Sequence, residues 1–282
     1  MKNVLYILAF LVVAGCQPTL IAEFDDKPVV SCFLDAGASP VLTISKLIAF
    51  RDDAAYSDEN INAFSMTITD ITDETEISYT MQPVGSGGKY ENPNVIIQAG
   101  HTYRLDFTYN KKPVTATAIV PDEPQNVEFS TTSVGVFNRS FNWVPGSSWN
   151  WDDLPEFDAQ LEITWENDDR NFYMLECFTT STEAVNENQT DAPQSFKVDY
   201  TQNDYAILSS MQFRYYGDYE VSLVRIQPEY AVMSEGSTNT YTSASIDDIK
   251  GNIDGGYGLF TGISRITKTI NVYEVVVETD DE

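Results

Sequence analysis

Tyr103, Leu105, Phe107 and Tyr109 alternate with Arg104, Asp106 and Thr108, the clearest period-two run in this 282-residue chain. Alternation puts one set of side chains on an inner face and the other in water, which is the signature of a half-buried strand. Phe64, Met66 and Ile68 repeat it against Ser65, Thr67 and Thr69. Residues 29–34 form a short apolar run, and residues 41–50 follow Pro40 as a longer β-rich one. Gly85-Ser86-Gly87-Gly88 predicts a turn between a strand at 77–81 and another around 95–97. Residues 114–120 close the series before Pro121-Asp122-Glu123-Pro124. About seven strands with turn signals at this spacing predict an Ig-like β-sandwich over residues 28–122. Beyond the prolines, strands are expected at 127–130, 159–165, 172–179, 219–226 and 269–278. Short helices are expected at 205–213, 228–234 and 241–250, with a polar loop at 183–194 and an acidic tail at 279–282. The expected fold is all-β: the sandwich, then a second β-rich domain (123–278) carrying a few short helices.

The first residues break this pattern. Lys2 precedes an almost wholly apolar stretch at 4–13, and Val13-Ala14-Gly15 leads into Cys16. A charged start, about 7–15 apolar residues and small residues at the cut describe an export signal too short to span a bilayer. A cysteine directly after Ala14-Gly15 makes the site a lipobox, because only a thiol can receive the diacylglycerol that precedes lipoprotein cleavage. Residues 1–15 then form the signal peptide and residues 16–27 a lipidated acidic tether. The competing reading is an ordinary signal peptide with an incidental cysteine. No later segment approaches the roughly 20 apolar residues of a membrane helix, so lipid on Cys16 would be the anchor.

Charge narrows the partners. The formal charge is −27, and loss of Lys2 with the signal takes it to −28. Nothing here resembles the basic patch that releases counterions from nucleic acid, and such a surface also disfavours anionic headgroups. Glu23, Phe24, Asp25 and Asp26 follow the tether cysteine closely. They are a candidate surface-export label of the kind some Gram-negative lineages use, or simply a solvated tether.

Candidate chemistry is sparse. Cys32 and Cys177 could pair in an oxidising compartment or sit as buried thiols. With the lone His101 they make no credible zinc site, and no metal or cofactor is expected. No Gly-x-Ser-x-Gly elbow accompanies His101, which reads as a turn-capping or surface residue. The 43 acidic residues include Asp52-Asp53, Asp152-Asp153 and Asp168-Asp169 but no calcium-loop spacing, and their accidental pairs support a hydrolase only weakly. Residues 251–258 are the richest glycine segment; lacking a phosphate-loop ending, their glycines suit positive φ and close backbone approach. Trp143, Trp149 and Trp151 cluster three of the four tryptophans. They could stack on sugars, anchor a protein contact, or plug a gap between domains.

Several motifs, in order, carry a resemblance over nearly the full mature length. They are Cys16; Pro28-Val29-Val30 to Leu34; Ile44-Ser45-Lys46; Gly100-His101-Thr102-Tyr103-Arg104-Leu105; Val120-Pro121; Val221 to Ile226 before Pro228-Glu229-Tyr230; and Gly251-Asn252-Ile253 with Gly255-Gly256-Tyr257-Gly258-Leu259-Phe260. Together they resemble a Bacteroidota outer-membrane lipoprotein family known only as a domain of unknown function. Ala99 stands where that family usually has proline. The resemblance implies a non-enzymatic accessory subunit, exposed at the cell surface beside an integral outer-membrane protein, a TonB-dependent transporter being the suspected partner. It brings no catalytic residues. The candidate contact surface is Trp143, Trp149 and Trp151 with Tyr257 and Phe260 from the 251–260 segment. The alternatives are a glycan-binding lipoprotein using the same tryptophans, or a hydrolase with unassigned carboxylates.

Overall fold

A computed structural model describes residues 24–47, 59–137, 157–186, 191–231 and 251–275. The first half forms β1 (Pro28–Asp35), β2 (Val41–Lys46), β3 (Met66–Asp70), β4 (Ile77–Val84), β5 (Lys89–Glu91), β6 (Thr102–Tyr109) and β7 (Lys112–Ile119). Alternation along β6 buries Tyr103, Leu105, Phe107 and Tyr109 as the pattern requires. These strands belong to one long sheet that curls over on itself. β4 makes the bend: residues 77–81 pair with β3, whereas Gln82, Pro83 and Val84 pair with β5. Val30, Cys32, Leu42 and Ile44 of one layer thereby meet Met66, Ile68, Leu105 and Val114 of the other in a single apolar cluster.

The second half adds β8 (Glu128–Phe129), β9 (Ser133–Phe137), β10 (Gln160–Thr164), β11 (Phe172–Thr179), β12 (Ser195–Thr201), β13 (Tyr205–Ser209), β14 (Gly217–Ile226), β15 (Ile253–Asp254) and β16 (Tyr257–Val275). A three-stranded sheet, β13-β10-β8, lies over the β12-β11-β14-β16 end of the large sheet. Leu161, Ile163 and Leu208 fill the space between them with Tyr173, Leu175, Val221 and Leu223.

β16 joins the two halves. Its first part, from Tyr257 to Ile263, pairs in parallel with β1, and from Ile263 to Val272 it pairs antiparallel with β14. The chain is all-β, but a boundary at 122/123 does not separate it in space. Residues 253–263 return to the first half, where Ile253 and Phe260 enter its core. Pro121-Asp122-Glu123-Pro124 is no loose linker either: the Asp122 carbonyl accepts from Ser264 Oγ at 2.8 Å and Arg225 Nη1 at 3.4 Å.

Three further expectations change. Residues 205–213 form β13 and a 3₁₀ turn (Ser210–Gln212) rather than a helix, because pairing with β10 buries Leu208 and leaves Ile207 out. The strand after the glycine turn is β5, not 95–97; that segment instead bonds the β1–β2 turn, with Gly37 N donating to Ile97 O. The last strand begins at 257 rather than 269. The expected helix at 228–234 is seen over 228–231, and that at 241–250 lies outside the described residues.

Two buried tyrosines satisfy their hydroxyls by bonding backbone. The Tyr103 hydroxyl accepts from Gln98 N at 3.0 Å, and the Tyr219 hydroxyl from Tyr215 N at 3.0 Å. Each pins the turn leading into its own strand, in the manner of a tyrosine corner. On the sheet's other face Arg265 of β16 bridges Asp35 of β1 (2.9 Å) and Glu176 of β11 (2.7 Å), while Lys197 of β12 reaches Glu176 at 2.5 Å. Burial raises the Glu176 carboxyl, but two cations outweigh it and hold it below the usual range. Asp35 faces one cation, and burial pushes it up.

Glu176 is depressed when folded, so its contribution is present above the unfolded value near pH ~4.3 and is lost as pH falls through the folded value. Glu176→Gln should destabilise by about 1–2 kcal/mol at pH 7, and the gap to wild type in thermal melts should close below pH ~4. A second test concerns the approach of β16 to β1. A Cβ on Gly258 would lie 1.9 Å from Val30 O, whereas one on Gly37, also at positive φ, meets nothing within 4 Å. Gly37→Ala should cost about 1 kcal/mol of backbone strain, and Gly258→Ala clearly more, in urea denaturation.

Candidate functional site

The tether meets the body at the end of the sandwich where β1 begins. The Tyr109 hydroxyl donates to Asp26 Oδ1 at 2.7 Å, and Lys27 Nζ pairs with Asp25 at 2.8 Å. Lys112, just past the β6–β7 turn, reaches the same Asp25 at 3.9 Å, and Lys27 sits 5.5 Å from the Tyr257 ring centre. Asp26 therefore fastens the tether to the body as well as carrying charge. Phe24 is half-buried; Cys16 and Glu23 lie outside the described residues. So do Trp143, Trp149 and Trp151.

Residues 251–260 prove to be a buckle. Asn252 donates through Nδ2 to Phe260 O (2.5 Å) and Thr117 O (3.2 Å), and its Oδ1 accepts from Phe260 N at 2.9 Å. One side chain thus stands in for a strand between β7 and β16. Gly251 lies so close to Gly258 that a Cβ would fall 1.3 Å from its carbonyl oxygen, and Gly255 adopts φ 78°. Phe260 is wholly buried in the first core, which removes it from the candidate contact surface. Tyr257 remains half-buried at the tether end.

A cleft that the sequence did not single out opens at the opposite end, between the halves. It holds about 390 Å³ and is bordered by Gly100, Asp122, Asp169, Arg170, Asn171 and Arg225 with Gln227. That size suits a small ligand or one stretch of extended chain. Arg170 is held at φ 54° in a turn that Asn167 organises: Asn167 Nδ2 donates to the Asn171, Gln202 and Asn203 carbonyls, each at 3.0 Å. Guanidinium and amide donors stand beside two carboxylates, so the cleft can recognise a polar group by hydrogen bonds and charge. The signal was dispersed over four segments, 100, 119–122, 169–172 and 225–228, that only the fold brings together.

Nearby, His101 Nδ1 lies 2.7 Å from Asp70 Oδ2, and Asp70 also accepts from Thr72 N and Oγ1. Burial raises Asp70, but Thr72 and His101 overcome it and hold the carboxyl below its ordinary range. The Asp70 carboxylate caps the turn at Thr72, and the histidine bonds that carboxylate. Cys32 and Cys177 are unbridged and buried in different cores, and burial pushes the Cys177 thiol up to about 12. Among the described residues no group of three or more acids, cysteines or histidines is placed to hold a metal. No described helix is long and apolar enough to cross a membrane.

A domain of unknown function (DUF4249) matches residues 16–269, and the chain belongs to that family. No curated protein matches the chain significantly. Among solved structures it is similar to a two fibronectin type-III domain segment from chicken tenascin, at 11% identity and TM-score 0.25 over 88% of this chain and 99% of that one. It is also similar to the FN1–FN3 domains of chicken CNTN1, at 11% identity and TM-score 0.24 over 86% of this chain and 65% of that one.

Asn252→Ala removes three hydrogen bonds at the buckle and should destabilise the protein by about 1–3 kcal/mol. Asn252→Asp keeps the acceptor but loses both amide donors, so it should rescue little; full recovery of the melting temperature by aspartate would contradict the donor role.

Proposed function

We propose that the protein is a lipid-anchored outer-membrane lipoprotein that binds rather than catalyses, working as a surface-exposed accessory subunit beside an integral partner. Cys16 carries the reading: it follows an export-type apolar stretch and Ala14-Gly15, and the family match begins at that residue. The fastening of Asp25 and Asp26 to Lys27, Lys112 and Tyr109 supports it, since an anchor on a short tether holds the body in one orientation. Such confinement raises the effective concentration of a binding face near a membrane partner without requiring strong intrinsic affinity. The suspected partner is a TonB-dependent transporter. The end of the sandwich remote from the tether, which carries the polar cleft, is the face presented to it.

Cys16→Ser should abolish incorporation of labelled palmitate and leave the chain unprocessed or released from the membrane fraction. Unchanged processing and retention would refute the anchor. For the partner, affinity isolation from detergent-solubilised envelopes should recover an integral outer-membrane protein. Recovery of none under several detergents would refute the accessory role.

A further inference from the structure

The chain's negative charge is unevenly placed. Between residues 24 and 137 the described lysines are Lys27, Lys46, Lys89, Lys111 and Lys112, and strand register puts all five towards one end of the sandwich. Lys46 pairs with Pro28 at the start of β1, and Lys112 opens β7 opposite Tyr109. Lys111 stands exposed at the hairpin tip with φ 62°, and Lys112 is 72% exposed. Lys89 lies slightly farther back, opposite Thr43. The described acids at this end are Asp25, Asp26, Glu59, Asp106 and Asp254, with Glu91 paired to Lys89 at 3.2 Å, so among the described residues this end is close to neutral within a chain of −27. Asp35, Asp70, Asp73, Glu74, Glu76, Asp122 and Glu123 collect at the other end, where β1, β3 and β7 finish.

This is also the end at which the tether arrives. Ten residues separate Cys16 from Asp26, which spans at most about 36 Å in any conformation. The acidic end lies a further ~25 Å away along the eight residues of β1. We propose that the lysine-bearing end is a membrane-facing foot that rests on the phosphates of lipid headgroups, with Lys111 and Lys112 as its forward contacts. The inference rests on the lipid-anchor reading and adds an orientation to it. Attraction to a headgroup layer fades within a Debye length of about 8–10 Å, so the near lysines feel it and the distant carboxylates escape the matching repulsion. A charge that on average opposes docking onto anionic lipid is thus divided so that one end can dock.

Amine acetylation read by mass spectrometry tests this on the purified full-length lipoprotein. The protein is held either in detergent or in vesicles of phosphatidylcholine with or without phosphatidylglycerol, with Lys268 as the internal reference. In the mixed vesicles, labelling of Lys111 and Lys112 should fall several-fold relative to detergent, less so in phosphatidylcholine alone, and recover at high salt. Lys111→Glu with Lys112→Glu should abolish the protection of Lys27 and Lys46. Equal labelling in detergent and mixed vesicles, or protection that survives charge reversal, overturns the foot while leaving the anchor standing. The same spectra report the mass of the Cys16 peptide, and an unlipidated cysteine there overturns both.

Discussion

One strand carries the architecture. β16 runs for nineteen residues and answers to two sets of constraints. Over its first third it is a parallel neighbour of β1; beyond Ile263 it is an antiparallel neighbour of β14. Parallel pairing requires the chain to return from far away, and the return is paid for by everything between β1 and residue 257. The first half therefore lacks a central neighbour until the chain is nearly complete, and Phe260 and Ile253 reach its core only then. Such long-range closure is slow, because loop entropy is lost before contacts accrue. The Arg265 bridge between Asp35 and Glu176 sits on the same strand and joins the same two halves by charge.

Seen in this way, the glycines and asparagine at 251–258 have a mechanical purpose. β16 must pass close to β1 and to the segment after β7, closer than a side chain allows at Gly258 and at Gly262, where a Cβ would fall 2.3 Å from Ile119 O. Asn252 supplies the hydrogen bonds that a full-length strand would have made. A motif that looks like a ligand loop is thus explained by backbone packing.

Sequence patterning disclosed the strands whose faces are unambiguous. β6 is read without error because its four aromatic or apolar residues alternate strictly with polar ones. It failed at β13, where Ala206, Ile207 and Leu208 form an unbroken apolar run that suits helix or strand, and only the partner strand β10 decides. The start of β16 was missed because Gly258 falls in a segment that reads as loop, although the lack of a side chain there is what admits the strand. The return of residues 253–263 to the first half was missed for a related reason: prolines at 121 and 124 mark a change of direction, and periodicity says nothing about which distant strand pairs with which. Of the expected site, the burial of Phe260 was not legible, and the cleft, scattered over four segments, could not be.

Charge shows most sharply what three dimensions add. A net figure treats the surface as uniform and argues against any anionic neighbour. Strand register sorts the same residues by end: an antiparallel hairpin such as β6–β7 places Lys111 and Lys112 beside the start of β1, and the turn between β3 and β4 carries Asp73, Glu74 and Glu76 to the far side. The two ends therefore differ in charge. A ligand or partner approaching the cleft encounters a field dominated by carboxylates, in which Arg170 and Arg225 are local exceptions. A guanidinium set in an acidic surround attracts anions over short range only, since more distant charge repels them. The cleft should accordingly favour groups that offer an acceptor to the arginines and a donor or positive charge to Asp122 and Asp169. That pairing disfavours simple polyanions, which would meet Asp122 and Asp169 beside the arginines.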